Sequence, residues 1–221
     1  VITGGPGTGK TTLVRGITRI LGAKEQRVEL AAPTGRAAKR LAETTGQPAR
    51  TVHRLLEFSP ADGQFARCRD HPLDADLVVV DEASMLDVEL AAALLAAIPA
   101  SCRLVLVGDA DQLPSVGPGN VLGDLIASGA VSMVRLDRVF RQADRSLIVD
   151  NAHRVNRGEM PVSANGDDLQ DFYFVERDEP ERAAETAVEM VASRIPHRFA
   201  LDPLDDVQLL SPMHRGELGV T

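Results

Sequence analysis

Short apolar runs alternate with amphipathic stretches along most of this 221-residue chain. Leu77-Val78-Val79-Val80 is apolar at every position and Arg103–Val107 nearly so. Such runs fit strands covered on both faces, where the in-out alternation of a half-exposed strand is lost. Further strands are expected at Val1–Thr3, Arg27–Ala32, Val131–Leu136, Phe172–Val175 and Val207–Leu210. Helices are expected between them, over about Thr11–Leu21, Gly35–Thr44, Val88–Ile98 and Pro180–Arg194. Strand and helix in alternation predict an α/β architecture, a parallel sheet flanked by helices. The pattern breaks between Leu56 and Leu73. There Phe58 and Phe65 flank Pro60-Ala61-Asp62-Gly63, and an Asp-Gly pair in that setting predicts a small β-hairpin inserted at about 57–70. An ordinary surface loop is the alternative.

The first strand runs into Gly4-Gly5-Pro6-Gly7-Thr8-Gly9-Lys10-Thr11, followed by Thr12 and a helix. This is the G-x-x-x-x-G-K-[ST] pattern in the strand–turn–helix context that gives it meaning, a P-loop. Glycines let backbone N–H groups converge on phosphate oxygens, and the helix N-terminus adds positive potential. Gly5, Pro6, Gly7, Thr8, Gly9, Lys10, Thr11 and Thr12 are therefore the expected nucleotide-binding residues, with ATP and Mg²⁺ as ligands. Lys10 is expected at the β- and γ-phosphates, and the Thr11 hydroxyl on Mg²⁺. Asp81 and Glu82 close the buried run Val78–Val80. Asp81 is the second expected metal ligand, and Glu82 the candidate general base for an attacking water. Helix capping is what an acidic pair after a strand otherwise does. After the next strand, Gly108-Asp109-Ala110-Asp111-Gln112 offers an amide, Gln112, able to sense the γ-phosphate, braced by Asp109. Arg141, in Val139-Phe140-Arg141-Gln142, is a candidate for stabilising charge on the transferred phosphoryl group.

Charge complicates the choice of partner. The formal net charge is −8, yet residues 1–70 carry 12 Lys/Arg against 6 Asp/Glu, and residues 71–221 carry 12 against 26. A locally basic surface suits a phosphate backbone whatever the total; two solvated faces would give the same count. Cys68 and Cys102 are too few and too far apart for a metal or disulfide framework, and no run approaches the roughly 20 apolar residues of a membrane span. A reduced, cytoplasmic setting without a membrane partner is expected. Val1-Ile2-Thr3 starts as a strand in progress without a Met, as expected of a piece of a longer chain.

The combination of Gly4–Thr12, Ala32-Pro33-Thr34-Gly35-Arg36-Ala37-Ala38-Lys39-Arg40-Leu41, Thr51-Val52-His53-Arg54-Leu55-Leu56, Val80–Met85 and Val107–Pro114 resembles the RecD-like branch of superfamily 1 DNA helicases, in the order of their motifs I, Ia, Ib, II and III. Val139–Gln142 is similar to motif IV, and Ser211–Gly216 with Leu218-Gly219 to the family's approach to its second motor domain. The resemblance implies a RecA-like P-loop NTPase domain at residues 1–200, with residues 201–221 starting the crossing. It implies 5′→3′ movement on single-stranded DNA and at single-strand/duplex junctions, in repair or recombination and with other repair-complex subunits as possible partners. Pro33, Thr34, Arg36, Thr51 and His53 match segments that contact DNA, and the hairpin falls where relatives carry a strand-splitting pin. Arg36, Lys39 and Arg40 share a helical face and suit a phosphate track, although Arg40 equally suits a solvated position. The second motor domain, and a segment before the P-loop that holds adenine, are missing from these residues, so weak nucleotide binding without unwinding is expected of them alone. A P-loop ATPase acting on RNA or protein, or a non-catalytic DNA-binding subunit, are the other readings.

Overall fold

The computed structural model describes residues 1–137, 146–163 and 170–220, in two compact units, Val1–Arg145 and Ser146–Thr221. The first contains a six-stranded sheet: β1 (Ile2–Gly4), β2 (Val28–Ala32), β3 (Ala49–Thr51), β6 (Leu77–Val80), β7 (Arg103–Gly108) and β8 (Val134–Leu136). β4 (Phe58–Ser59) and β5 (Gln64–Phe65) form a separate antiparallel pair. The order is β3-β2-β6-β7-β1-β8, with every pairing parallel. The fold is thus the expected α/β one. β7 lies between β1 and β6, which separates the two strand ends by roughly 10 Å at ordinary strand spacing.

Alternate residues of the all-apolar strand β6 serve different cores. Val78 and Val80 join one cluster with Leu55, Leu86, Leu94 and Leu122, whereas Leu77 and Val79 join another with Val14, Leu30, Leu41 and Val107. A strand's side chains point alternately to its two faces, so both faces of this sheet are covered. Helices α1 (Lys10–Gly22) and α2 (Gly35–Thr45) supply Val14 and Leu41 to one face. α3 (Val52–Leu55), α4 (Val88–Ala97) and α5 (Val121–Ser128) cover the other. Leu41 is 1% exposed. Leu41→Ala is expected to cost about 2–5 kcal/mol of unfolding free energy, since lost burial and a residual cavity add; a denaturant titration measures it.

The helix ends follow the local chemistry. Thr34 caps α2, its hydroxyl accepting from Ala37 N at 3.2 Å, and Gly46 ends it in the left-handed conformation. Asp87 caps α4 through Leu90 N at 2.8 Å. The hairpin is present: Phe58 pairs with Phe65 and Ser59 with Gln64, and Gly63 has φ +64 at the turn. Two bonds from the Arg67 guanidinium to Glu57 Oε1, at 2.8 and 2.9 Å, clamp its base.

The second unit contains α6 (Leu147–Asn156), α7 (Pro180–Glu189), a π turn over Met190–Arg194, and α8 (Ile195–Phe199). Pro196, without an N–H, lies where the π turn passes into α8, and the chain is helical on both sides of that junction. The helix expected over 180–194 is present. Two expected strands are not. Phe172–Val175 is irregular; Phe174 N donates to Ser163 Oγ at 2.8 Å, so a side chain takes the donor a ladder would have used. Val207–Leu210 is likewise unpaired, with Leu210 81% exposed, and offers no neighbour to complete a sheet among the described residues. The expected strand Val131–Leu136 shortens to β8. No helix among the described residues is long and apolar enough to cross a membrane.

Candidate functional site

β1 ends at a position that only glycine fits. A Cβ on Gly4 would lie 2.6 Å from Leu136 O and 2.8 Å from Thr8 Oγ1. The loop then turns through Gly7 and Gly9, at φ +76 and +87, conformations that L side chains rarely adopt. Thr8 Oγ1 donates to Gly5 O at 2.9 Å and holds the loop closed. Lys10 Nζ donates to the carbonyls of Gly4 and Gly5, at 2.5 and 2.9 Å. Its ammonium thus lies against the loop that would hold the phosphates. The N-terminus of α1 carries no side-chain cap and no acidic residue in its first turn. Its N–H groups are left for an anion.

The acidic pair stands two strands away. Asp81 is buried, and its Oδ1 accepts from Glu82 N at 3.0 Å. Glu82 has φ +53, a left-handed conformation uncommon for this residue type, where the chain swings off β6 into a 3₁₀ turn at Ala83–Met85. Glu82 occupies that turn's N-cap position, but its carboxylate makes no capping hydrogen bond. The capping alternative raised by the sequence thus has no bond to support it. Burial pushes the Asp81 carboxyl above its ordinary 3.8, against the pull of the Glu82 N–H and of the Lys10 and Arg40 charges. Burial also raises Glu82 above 4.5; the Asp81 charge adds to this, while Lys10 and Arg40 oppose it. Burial is the largest cause for both acids.

Beyond β7, Asp109 is 3% exposed and organises the next turn. Its carboxylate accepts from Asp111 N at 3.1 Å and from Gln112 Nε2 at 3.2 Å. Ala110 N donates to Thr3 Oγ1 at 3.2 Å, tying this turn to β1. The glycine-loop residues Pro6 to Thr12, Asp81, Glu82 and Gln112 all line one cavity of about 520 Å³, with Ala37, Arg40 and Thr44 of α2. Loop, acids and amide, separated by up to about 100 residues in the chain, face a shared space. Arg141 lies outside the described residues.

A nucleotide with its magnesium fits this donor set. The backbone cradle, Lys10 and Thr11 suit phosphates, and the two carboxylates suit a divalent cation. Among the described residues no group of three or more His, Cys, Asp or Glu could hold a metal. Magnesium commonly binds through one or two carboxylates completed by water and substrate phosphates, so Asp81 and Thr11 are the residues that would hold it.

The expected DNA-contacting residues sit at the neighbouring strand ends. Ala32 of β2 is in register with Thr51 of β3, so Pro33, Thr34 and Thr51 leave adjacent strands together. Thr51 caps α3 by accepting from Arg54 N at 3.2 Å, as Thr34 caps α2. Both hydroxyls thus have structural work in addition to any contact they make. The exposed His53 ring lies 5.5 Å from Phe58 and 5.9 Å from Phe65, joining this edge to the hairpin. Arg36 and Lys39 are exposed, and Lys39 is 4.0 Å from Glu43. Arg40 is exposed as they are, as a solvated position would have it, and it also lines the phosphate cavity. Ala37, Arg40 and Thr44 were missed as cavity residues; their i, i+3, i+7 spacing was the available signal.

The AAA domain family model matches residues 1–118. Over its whole length the chain is 40% identical to the ATP-dependent RecD2 DNA helicase of Deinococcus radiodurans, covering 28% of that protein. It is 35% identical to the RecBCD enzyme subunit RecD of Mycolicibacterium smegmatis, again over its whole length and 45% of the relative. Over 53% of the chain it is 34% identical to the ATP-dependent DNA helicase dda of Enterobacteria phage T4, covering 28% of that protein. The chain thus spans less than half the length of these curated relatives.

Proposed function

Since the chain belongs to the AAA domain family and is RecD-like in sequence, we propose that it is the first motor domain of an ATP-dependent DNA helicase. The observation that carries this reading is the single cavity shared by the glycine loop, Asp81, Glu82 and Gln112. Bound ATP supplies the energy-yielding phosphoanhydride, and bound Mg²⁺ the charge that neutralises its oxygens. The loop N–H groups and Lys10 hold the phosphates. Asp81 and Thr11 hold the metal, and Glu82 takes the proton from the attacking water. Gln112, steadied by Asp109, senses the terminal phosphate, and Arg141 acts on the same group.

Pro33, Thr34, Arg36, Thr51 and His53 would carry single-stranded DNA along the ends of β2 and β3. The hairpin beside them suits a junction, and movement is assigned as 5′→3′ with roles in repair or recombination alongside other subunits. Residues 201–221 lead toward a second motor domain, and residues 1–221 alone bind nucleotide weakly without unwinding DNA. Binding to mixed-sequence single-stranded oligonucleotides over a salt series tests the track. The log–log slope should fall by about 0.7 per phosphate contact and be largely independent of sequence. Arg36→Ala should flatten it by about that amount. Salt-insensitive binding overturns the track, and unwinding of 3′-tailed but not 5′-tailed duplexes by the full-length protein overturns the polarity.

A further inference from the structure

We propose that Arg40 contacts the terminal phosphate of the bound nucleotide and so makes the site prefer a triphosphate over a diphosphate. This rests on the reading of the cavity as a nucleotide site and adds to it a residue from a different element, helix α2.

Three observations converge on Arg40. First, α2 forms a wall of the cavity through Ala37, Arg40 and Thr44, and Arg40 is the charged residue of that wall. Second, its guanidinium makes no hydrogen bond or ion pair among the described residues, although its neighbour Lys39 reaches Glu43. Exposed at the cavity wall, the guanidinium presents five donors in a planar fork, the geometry that matches phosphate oxygens. Third, Arg40 shares that cavity with Asp81, Glu82 and Gln112 and with Lys10 of the glycine loop, so cations from two elements line the space that holds the acidic pair. That pair marks the metal and water end of the site, where a terminal phosphate lies; the glycine loop and the α1 N-terminus take the inner phosphates. A diphosphate would leave Arg40 without its contact.

The same helix begins at Thr34 and Arg36, the residues assigned to DNA.

The test is equilibrium binding of Mg·ADP and of Mg with a non-hydrolysable ATP analogue to the full-length protein, as wild type, Arg40→Ala and Arg40→Lys. Loss of a charge-assisted contact should weaken analogue binding by about tenfold or more in Arg40→Ala. ADP binding should stay within about twofold. Arg40→Lys should recover only part, since an ammonium lacks the fork. Nucleotide-free affinity for single-stranded DNA should be unchanged in both variants. An alanine variant that keeps the wild-type preference for the analogue overturns the proposal. So does an equal loss of both nucleotides, which a structural role would give, and so does a loss of DNA affinity without nucleotide, which would return Arg40 to the DNA track. Failure of the wild type to bind either nucleotide overturns the cavity reading itself, and the Arg40 proposal with it.

Discussion

Glu82→Gln is expected to leave ATP binding within a few-fold of wild type and to lower hydrolysis by about 10²–10⁴, the range contributed by a general base. The substitution keeps the size of the side chain and removes only its capacity to take a proton. Glu82 suits this role because burial and the neighbouring Asp81 hold its carboxyl above the ordinary 4.5. The sign of the pH effect follows. A base must be deprotonated, so the acid limb of the hydrolysis rate should lie above 4.5, and activity should fall as pH drops through it. Equilibrium binding and single-turnover hydrolysis on the full-length protein separate the two effects. Near-normal hydrolysis by Glu82→Gln would remove Glu82 from the chemistry.

Lys10→Ala is expected to weaken nucleotide binding by about 10–100-fold, the worth of hydrogen bonds to a charged group. Hydrolysis should fall by a further 10²–10³ or so, as when one donor to a developing charge is removed. The ammonium bonds to the carbonyls of Gly4 and Gly5. Its removal therefore also leaves two loop acceptors to water, and the loop should become more mobile. A circular dichroism spectrum like that of the wild type, with nucleotide binding lost, is the expected pair of observations. Unaltered binding would show that the loop alone holds the phosphates.

The readable parts of this chain were those set by local chemistry. The glycine loop, the runs of β-branched residues and the Asp-Gly turn each have a short-range cause, and Gly4, Leu77–Val80 and Gly63 fall where that cause puts them. The α2 wall was legible only in part. Arg36, Lys39 and Arg40 share a face by spacing, but which of them meets the cavity depends on how α2 packs against the sheet, and no three-residue pattern encodes that. The left-handed Glu82 was not legible either: a strand-to-turn exit does not announce the sign of φ. Phe172–Val175 misled because strand propensity needs a neighbour, and here Ser163 takes the backbone bond instead. α5 and α6 went unassigned although Asn120 and Ser146 are good caps, bonding to Gly123 N and Val149 N.

The most direct test of the central claim is the steady-state ATPase rate of the full-length protein with and without single-stranded DNA, with Lys10→Ala as the blank. A DNA-dependent motor predicts strong stimulation that disappears in the blank. Appreciable turnover, absent in the blank but indifferent to DNA, would contradict the account and leave an ATPase that works on another substrate.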